Sequence, residues 1–93
     1  MYRLVPTNKF KKDLRRAHKD PHKNLDDLKV VLESLQNALP LAENLKDHAL
    51  LGNYKNHREC HIYPDWLLIY QPFPQEEEIV LVRLGSHSEL FNK

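Results

Sequence analysis

The chain predicts an α+β fold, with a helical hairpin packed on one face of a mostly antiparallel four-stranded sheet in the order β-α-α-β-β-β. Three observations lead there. Two stretches within the first 40 residues repeat apolar residues at helical spacing. Three later stretches are short, apolar and separated by turn-forming residues. The 93 residues, 41% hydrophobic and 29% charged, suit one domain over 1–93 with a small core.

Met1–Val5 reads as the first strand. Thr7 or Asn8 can cap a helix from about Lys9 to Lys19, with Phe10, Leu14 and Ala17 on one face. Lys11, Lys12, Arg15, Arg16 and Lys19 fall opposite, and Asp20-Pro21 closes the helix. Asn24 can cap a second helix, about Leu25 to Leu39, whose stripe is Leu25, Leu28, Leu32, Leu35 and Leu39. Pro40 stops it, and a short loop makes the two helices an antiparallel pair. Residues 41–57 read as irregular, turning at Gly52. Strands follow at about Asn56–Ile62, Trp66–Gln71 and Ile79–Leu84, with turns at Tyr63-Pro64-Asp65 and Pro72–Glu77, and Gly85 ends the last.

Charge and composition narrow the function classes. Residues 1–38 carry nine Lys/Arg against five Asp/Glu, a net of +4, and residues 39–93 carry five against eight, a net of −3. A basic first half can meet a polyanion, although the asymmetry is mild. No apolar run approaches the roughly 20 residues that span a bilayer, so no membrane role is expected. The opening Met1-Tyr2-Arg3-Leu4-Val5-Pro6 lacks a signal-peptide apolar region. Cys60 is the only cysteine, which fits a reducing cytoplasm.

Chemistry concentrates in the last third. Strand alternation turns Cys60 and Ile62 towards the helices, and Glu59 and His61 away from them. Asp65 follows one turn later. Arg83 ends an apolar strand, where it can bind a phosphate oxygen by charge-assisted hydrogen bonds. Gly85 lets the chain turn and present His87. His48 precedes the Gly52 turn. Histidine titrates near neutrality and serves as acid or base at working pH. Trp66 and Phe91 offer rings on which a base can stack. Each residue alone has an ordinary structural reading: a surface histidine, a turn aspartate, a strand-end ion pair of Arg83 with Glu59 or Asp65, a core tryptophan. His57-x-x-Cys60 has no second ligand pair, and Cys60 points away from His61, so the spacing argues against zinc. No metal or other cofactor is expected.

The segments Arg58-Glu59-Cys60-His61-Ile62, Pro64-Asp65-Trp66-Leu67-Leu68-Ile69-Tyr70 and Arg83-Leu84-Gly85-Ser86-His87-Ser88-Glu89-Leu90-Phe91, preceded by Asp47-His48-x-Leu50-x-Gly52, carry a resemblance. Together they look like the YafQ-type branch of the RelE/ParE toxin superfamily. The resemblance covers the whole chain in element order and is most specific over residues 47–91. It implies a RelE-like fold. It also implies a toxin of a type II toxin–antitoxin pair: a bacterial, cytoplasmic endoribonuclease that cuts mRNA on the ribosome. The family's active-site positions fall on His48, His61, Asp65, Trp66, Arg83, His87 and Phe91. The implied partner is a cognate antitoxin, typically dimeric and DNA-binding, through which alone the complex reaches operator DNA.

The expected reaction is attack of the RNA 2′-hydroxyl on the adjacent phosphorus, which needs no metal because the nucleophile is internal. Asp65 or His61 is the candidate base and His87 the candidate acid, with Arg83 on the phosphate and Trp66 and Phe91 holding bases. The competing expectations are a non-catalytic RNA- or antitoxin-binding module and a ParE-like gyrase poison. The ParE branch generally lacks this histidine set.

Overall fold

In the computed structural model, which describes residues 1–91, the chain runs β1 (Arg3–Pro6), α1 (Asn8–His18), α2 (Leu25–Gln36), β2 (His48–Ala49), β3 (Arg58–Tyr63), β4 (Trp66–Phe73), β5 (Glu78–Gly85) and α3 (His87–Phe91). The strands form one sheet in the order β1-β5-β4-β3-β2. β1 runs parallel to β5, and the other neighbouring strands are antiparallel. The α+β class and the element order are those expected, with two additions. The sheet has five strands rather than four, because His48–Ala49 leaves the stretch read as irregular and pairs with Arg58 and Glu59. A third helix, α3, follows Gly85, beyond the last element expected.

Thr7, rather than Asn8, caps α1. Its Oγ1 accepts from the Phe10 N–H at 3.0 Å and donates to the Val82 carbonyl at 2.8 Å, so the cap also ties α1 to β5. Asn24 caps α2 by accepting from the Asp26 N–H at 2.8 Å. α2 stops at Gln36, short of the expected Leu39. Ala38 turns left-handed (φ 56°), and its N–H and that of Leu39 return to the carbonyls of Leu35 and Ser34. That pattern is a Schellman motif, which ends a helix by satisfying its last carbonyls. Leu39 is left outside and exposed.

α1 lies over β5 and α2 over β3, and both meet the sheet more closely than they meet each other. Phe10, Ala17, Leu28, Val31 and Leu35 bury against Cys60, Ile62, Trp66, Leu68, Tyr70 and Leu84. The opposite face is also covered. Leu67 and Ile69 pack there with Leu90 of α3, flanked by Leu50, Tyr54, Val82 and Phe91. A strand buried on both faces must be apolar throughout, which explains the Trp66–Tyr70 run.

Two register shifts lie near the C-terminal end of β5. Between His61 and Tyr63, β3 spends an extra residue against β4, and between Leu81 and Arg83, β5 does the same. Such bulges re-aim side chains at the rim of a sheet. Among the described residues, no helix is long and apolar enough to cross a membrane.

Candidate active site

Register alone assembles a row of polar groups. His48 of β2 pairs with Glu59 of β3, Glu59 with Ile69 of β4, and Ile69 with Arg83 of β5. Paired residues share a face, so the four stand in line across four strands on the side away from α1 and α2. The adjoining row is His61, Leu67 and Gly85.

Glu59 is the centre of the first row and is buried, at 4% exposure. Its Oε1 accepts from His61 Nε2 at 2.8 Å and lies 3.7 Å from His48 Nε2. The carboxylate can only accept, so the Nε2 of His61 carries the proton and its Nδ1 is the free nitrogen. His48 donates from Nδ1 to the Lys46 carbonyl at 2.6 Å, which fixes its ring in the same way.

His87 is set by the start of α3. The Ser86 N–H donates to Glu89 Oε1 at 2.8 Å, and the Glu89 N–H donates to Ser86 Oγ at 3.1 Å. This reciprocal pair is a capping box. Arg16 of α1 braces it, with Nε 3.1 Å from Glu89 Oε2. Gly85 permits the tight approach: a Cβ there would stand 2.9 Å from Glu89 Oε1 and 3.2 Å from Leu90 Cδ2. Asp65 then takes both donors of His87, the backbone N–H at 2.9 Å and the ring Nδ1 at 2.7 Å, on one oxygen. Those two bonds, the backbone one first, hold the exposed Asp65 carboxyl below its ordinary 3.8.

The rings form a continuous line. Centroid separations are 6.0 Å from His48 to His61, 5.7 Å to His87, 6.4 Å to Phe91 and 5.7 Å to Tyr54. The expected residues His48, His61, Asp65, His87 and Phe91 are therefore brought together.

Arg83 stands at the far end of the Glu59 row, but its partner is neither Glu59 nor Asp65. Asp13 of α1, 3% exposed, receives Arg83 Nε at 2.8 Å, Arg83 Nη2 at 3.1 Å and the Leu84 N–H at 2.9 Å. Asp13 thus satisfies the β5 edge beyond the end of β1 and raises the Arg83 guanidinium above its usual pKa, with burial opposing.

Trp66 departs from expectation. It is 1% exposed and packs in the helix-side core against Tyr63, with ring centroids 5.1 Å apart. Alternation from Leu67 turns it away from the histidine row, so it cannot hold a base in this arrangement. Its role is core packing.

His48, Glu59 and His61 each place a ligand atom within 4.8 Å of the others, a set that could hold a metal ion. It shares only His61 with the His57, Cys60 and His61 weighed above for zinc. Cys60 is wholly buried among apolar side chains, and that burial pushes its thiol up to about 12.

A family model described as the bacterial toxin of a type II toxin–antitoxin system, YafQ, matches residues 2–92. The chain belongs to the YafQ family. It is 37% identical over 86 residues to the mRNA interferase toxin YafQ of Escherichia coli (strain K12), covering 91% of this chain and 90% of that one. A metal-bound toxin from Helicobacter pylori superposes with a TM-score of 0.90 at 47% identity, over 98% of this chain and 100% of the other. YafQ in the E. coli DinJ–YafQ toxin–antitoxin complex superposes with a TM-score of 0.84 at 35% identity, over 97% of each chain.

Four residues of this YafQ-family site escaped the sequence reading as participants. Glu59 was placed on the right face but offered only as an ion-pair partner of Arg83, although a carboxylate two residues before a histidine in a strand must share its face. Asp13 interrupts the apolar stripe of α1, a signal that it is buried with a partner. Ser86-x-x-Glu89 spells a capping box.

Proposed function

We propose that this chain is the toxin of a type II pair and an mRNA interferase that cleaves without a metal. One observation carries this reading: the continuous line of the His48, His61 and His87 rings, in which His61 and His87 each give one ring nitrogen to a carboxylate. Such a carboxylate fixes the tautomer and leaves the other nitrogen for substrate.

In the proposed reaction, Nδ1 of His61 takes the proton of the RNA 2′-hydroxyl. The 2′-oxygen bonds to phosphorus, and the bond from phosphorus to the 5′-oxygen breaks. Nε2 of a protonated His87 delivers a proton to that oxygen. The products are a 2′,3′-cyclic phosphate and a 5′-hydroxyl. Asp65 serves His87 rather than acting as base, because its oxygen is already engaged and its carboxyl is held low. Glu59 serves His61 in the same way. Arg83, fixed by Asp13, offers its outer N–H groups to charge growing on the phosphate, the preorganised help that often dominates catalysis. His48, with its Nδ1 held by the Lys46 carbonyl, turns its Nε2 to the site, and Phe91 holds a base.

His48, Asp65 and His87 of the site stand exposed at the surface, and a net charge of +1 gives little long-range attraction for RNA. Both features favour cutting on the ribosome, which would hold the message in place. A cognate antitoxin in the bacterial cytoplasm, related to DinJ as this chain is to YafQ, would restrain it and carry the complex to operator DNA.

Primer extension on a message translated in vitro tests the proposal. Wild-type protein should give discrete codon-phased cuts, and His87→Ala should lower them by roughly 10²–10⁴-fold, the scale of a lost general acid. Excess antitoxin should abolish them. Intact message with the wild-type protein would overturn the reading.

A further inference from the structure

We propose that the cavity beyond Phe91 seats the nucleobase on the 3′ side of the cut, with Leu51 and Asn53 as its specificity-determining residues. This rests on the ribonuclease reading above and deepens it. The departing 5′-oxygen belongs to the 3′ nucleotide and must lie against His87. The ring line runs from His61, the base, through His87, the acid, to Phe91 and Tyr54. RNA leaving the cut on its 3′ side is therefore directed past Phe91.

A cavity of about 500 Å³ waits there, lined by Leu51, Asn53, Tyr54, Leu90 and Phe91. Its walls suit a base rather than a phosphate: among the described residues they are two aromatic rings, two leucines and one amide, with no cation. The cavity beside His61 contrasts with it, for Lys46 and Asn44 line that one. Tyr54 is held in place by the small core and by edge-on packing with Phe91 and His57 at 5.7 and 5.5 Å. Leu51 has no packing role. It is 87% exposed, while its neighbour Leu50 packs against the core. The turn that projects it begins at Gly52, whose φ of 68° few other residues adopt. The Asn53 amide offers both donor and acceptor to a base edge, the means by which unstacked RNA bases are read.

The test uses full-length protein and ribosomes stalled with a vacant A site. Their messages are randomised at the two nucleotides flanking the cut, or carry an abasic 3′ nucleotide. Leu51→Ala and Asn53→Ala are exposed changes that should leave unfolding midpoints unmoved. Leu51→Ala should slow cleavage about tenfold, the scale on which a single base is held against a side chain, and flatten the preference at the 3′ nucleotide only. Asn53→Ala should change which 3′ base is preferred. An abasic 3′ nucleotide should slow the wild type about as much, and Leu51→Ala little further. Wild-type rates and preferences in both variants would overturn the proposal, as would a loss confined to the 5′ nucleotide. A wild-type protein that cuts nothing would instead overturn the ribonuclease reading beneath it.

Discussion

At the residue scale, burial separates participants from bystanders. Glu59 is a carboxylate at 4% exposure, and a buried charge persists only with partners, here His61 and the nearby His48. Glu59→Gln keeps the shape but can no longer hold the protonated Nε2 as a carboxylate does. Cleavage should fall about 10²-fold, the lower end of an acid–base contribution, while circular dichroism stays native. Full activity in that variant would remove Glu59 from the site. Trp66 is the converse case. Trp66→Ala should cost about 3–5 kcal/mol in urea unfolding, as for other buried aromatics. Trp66→Phe should retain cleavage, since the indole N–H it deletes has no hydrogen-bond partner. A folded Trp66→Phe protein that fails to cut would return Trp66 to substrate binding.

At the element scale, α3 is five residues long, far below the length at which a helix stands alone. Its position depends on the capping box, on Arg16, on Leu90 in the small core and on Asp65. Asp65 and Glu89 both sit below their ordinary values of 3.8 and 4.5, each chiefly through a bond from a backbone N–H. A lowered carboxyl pKa contributes stability that is complete above the ordinary value and lost as pH falls through the folded one. Acidification should therefore loosen α3 before the sheet, seen as Leu90 and Phe91 amide signals shifting while β4 signals hold. Simultaneous loss of both would contradict this. α2 offers a second measurement. Ala38 occupies a left-handed position that glycine takes without strain. Ala38→Gly should stabilise the protein by about 1 kcal/mol in urea unfolding; a lower midpoint would refute it.

At the scale of the whole molecule, the basic stripe of α1 divides in two. Lys11, Lys12 and Arg15 are exposed, whereas Arg16 is committed to Asp13 and Glu89. The first three, with Lys19 exposed at the end of α1, are left to meet phosphates. Replacing Lys11 and Lys12 by Ala should weaken binding of isolated single-stranded RNA and reduce its salt slope by about 0.7 for each phosphate no longer neutralised. An unchanged slope would make the stripe a solvated face. Cleavage of isolated RNA, where measurable, should survive EDTA; its abolition would assign the His48/Glu59/His61 set a catalytic metal.

Local pattern was enough for the class, the order of elements and the facing of side chains within each strand. Helical spacing marked α1 and α2, apolar runs marked β3 to β5, and alternation put His61 opposite Cys60. These properties involve residues a few positions apart, and neighbours in the chain encode them. The pairing of strands is different. The two-residue β2 has no periodicity of its own and exists only because β3 offers it an edge. Asp13 and Arg83 lie 70 residues apart, so no local signal could join them in place of the expected Glu59 or Asp65. Trp66 next to Asp65 looked like part of the site, yet Asp65 belongs to the turn, whereas Trp66 opens β4 and faces the helices. Chain chemistry was enough to say which reactive residues exist and on which face of its own strand each one stands. Which of them meet was left to cross-strand register and burial, because those properties arise only when distant segments pack.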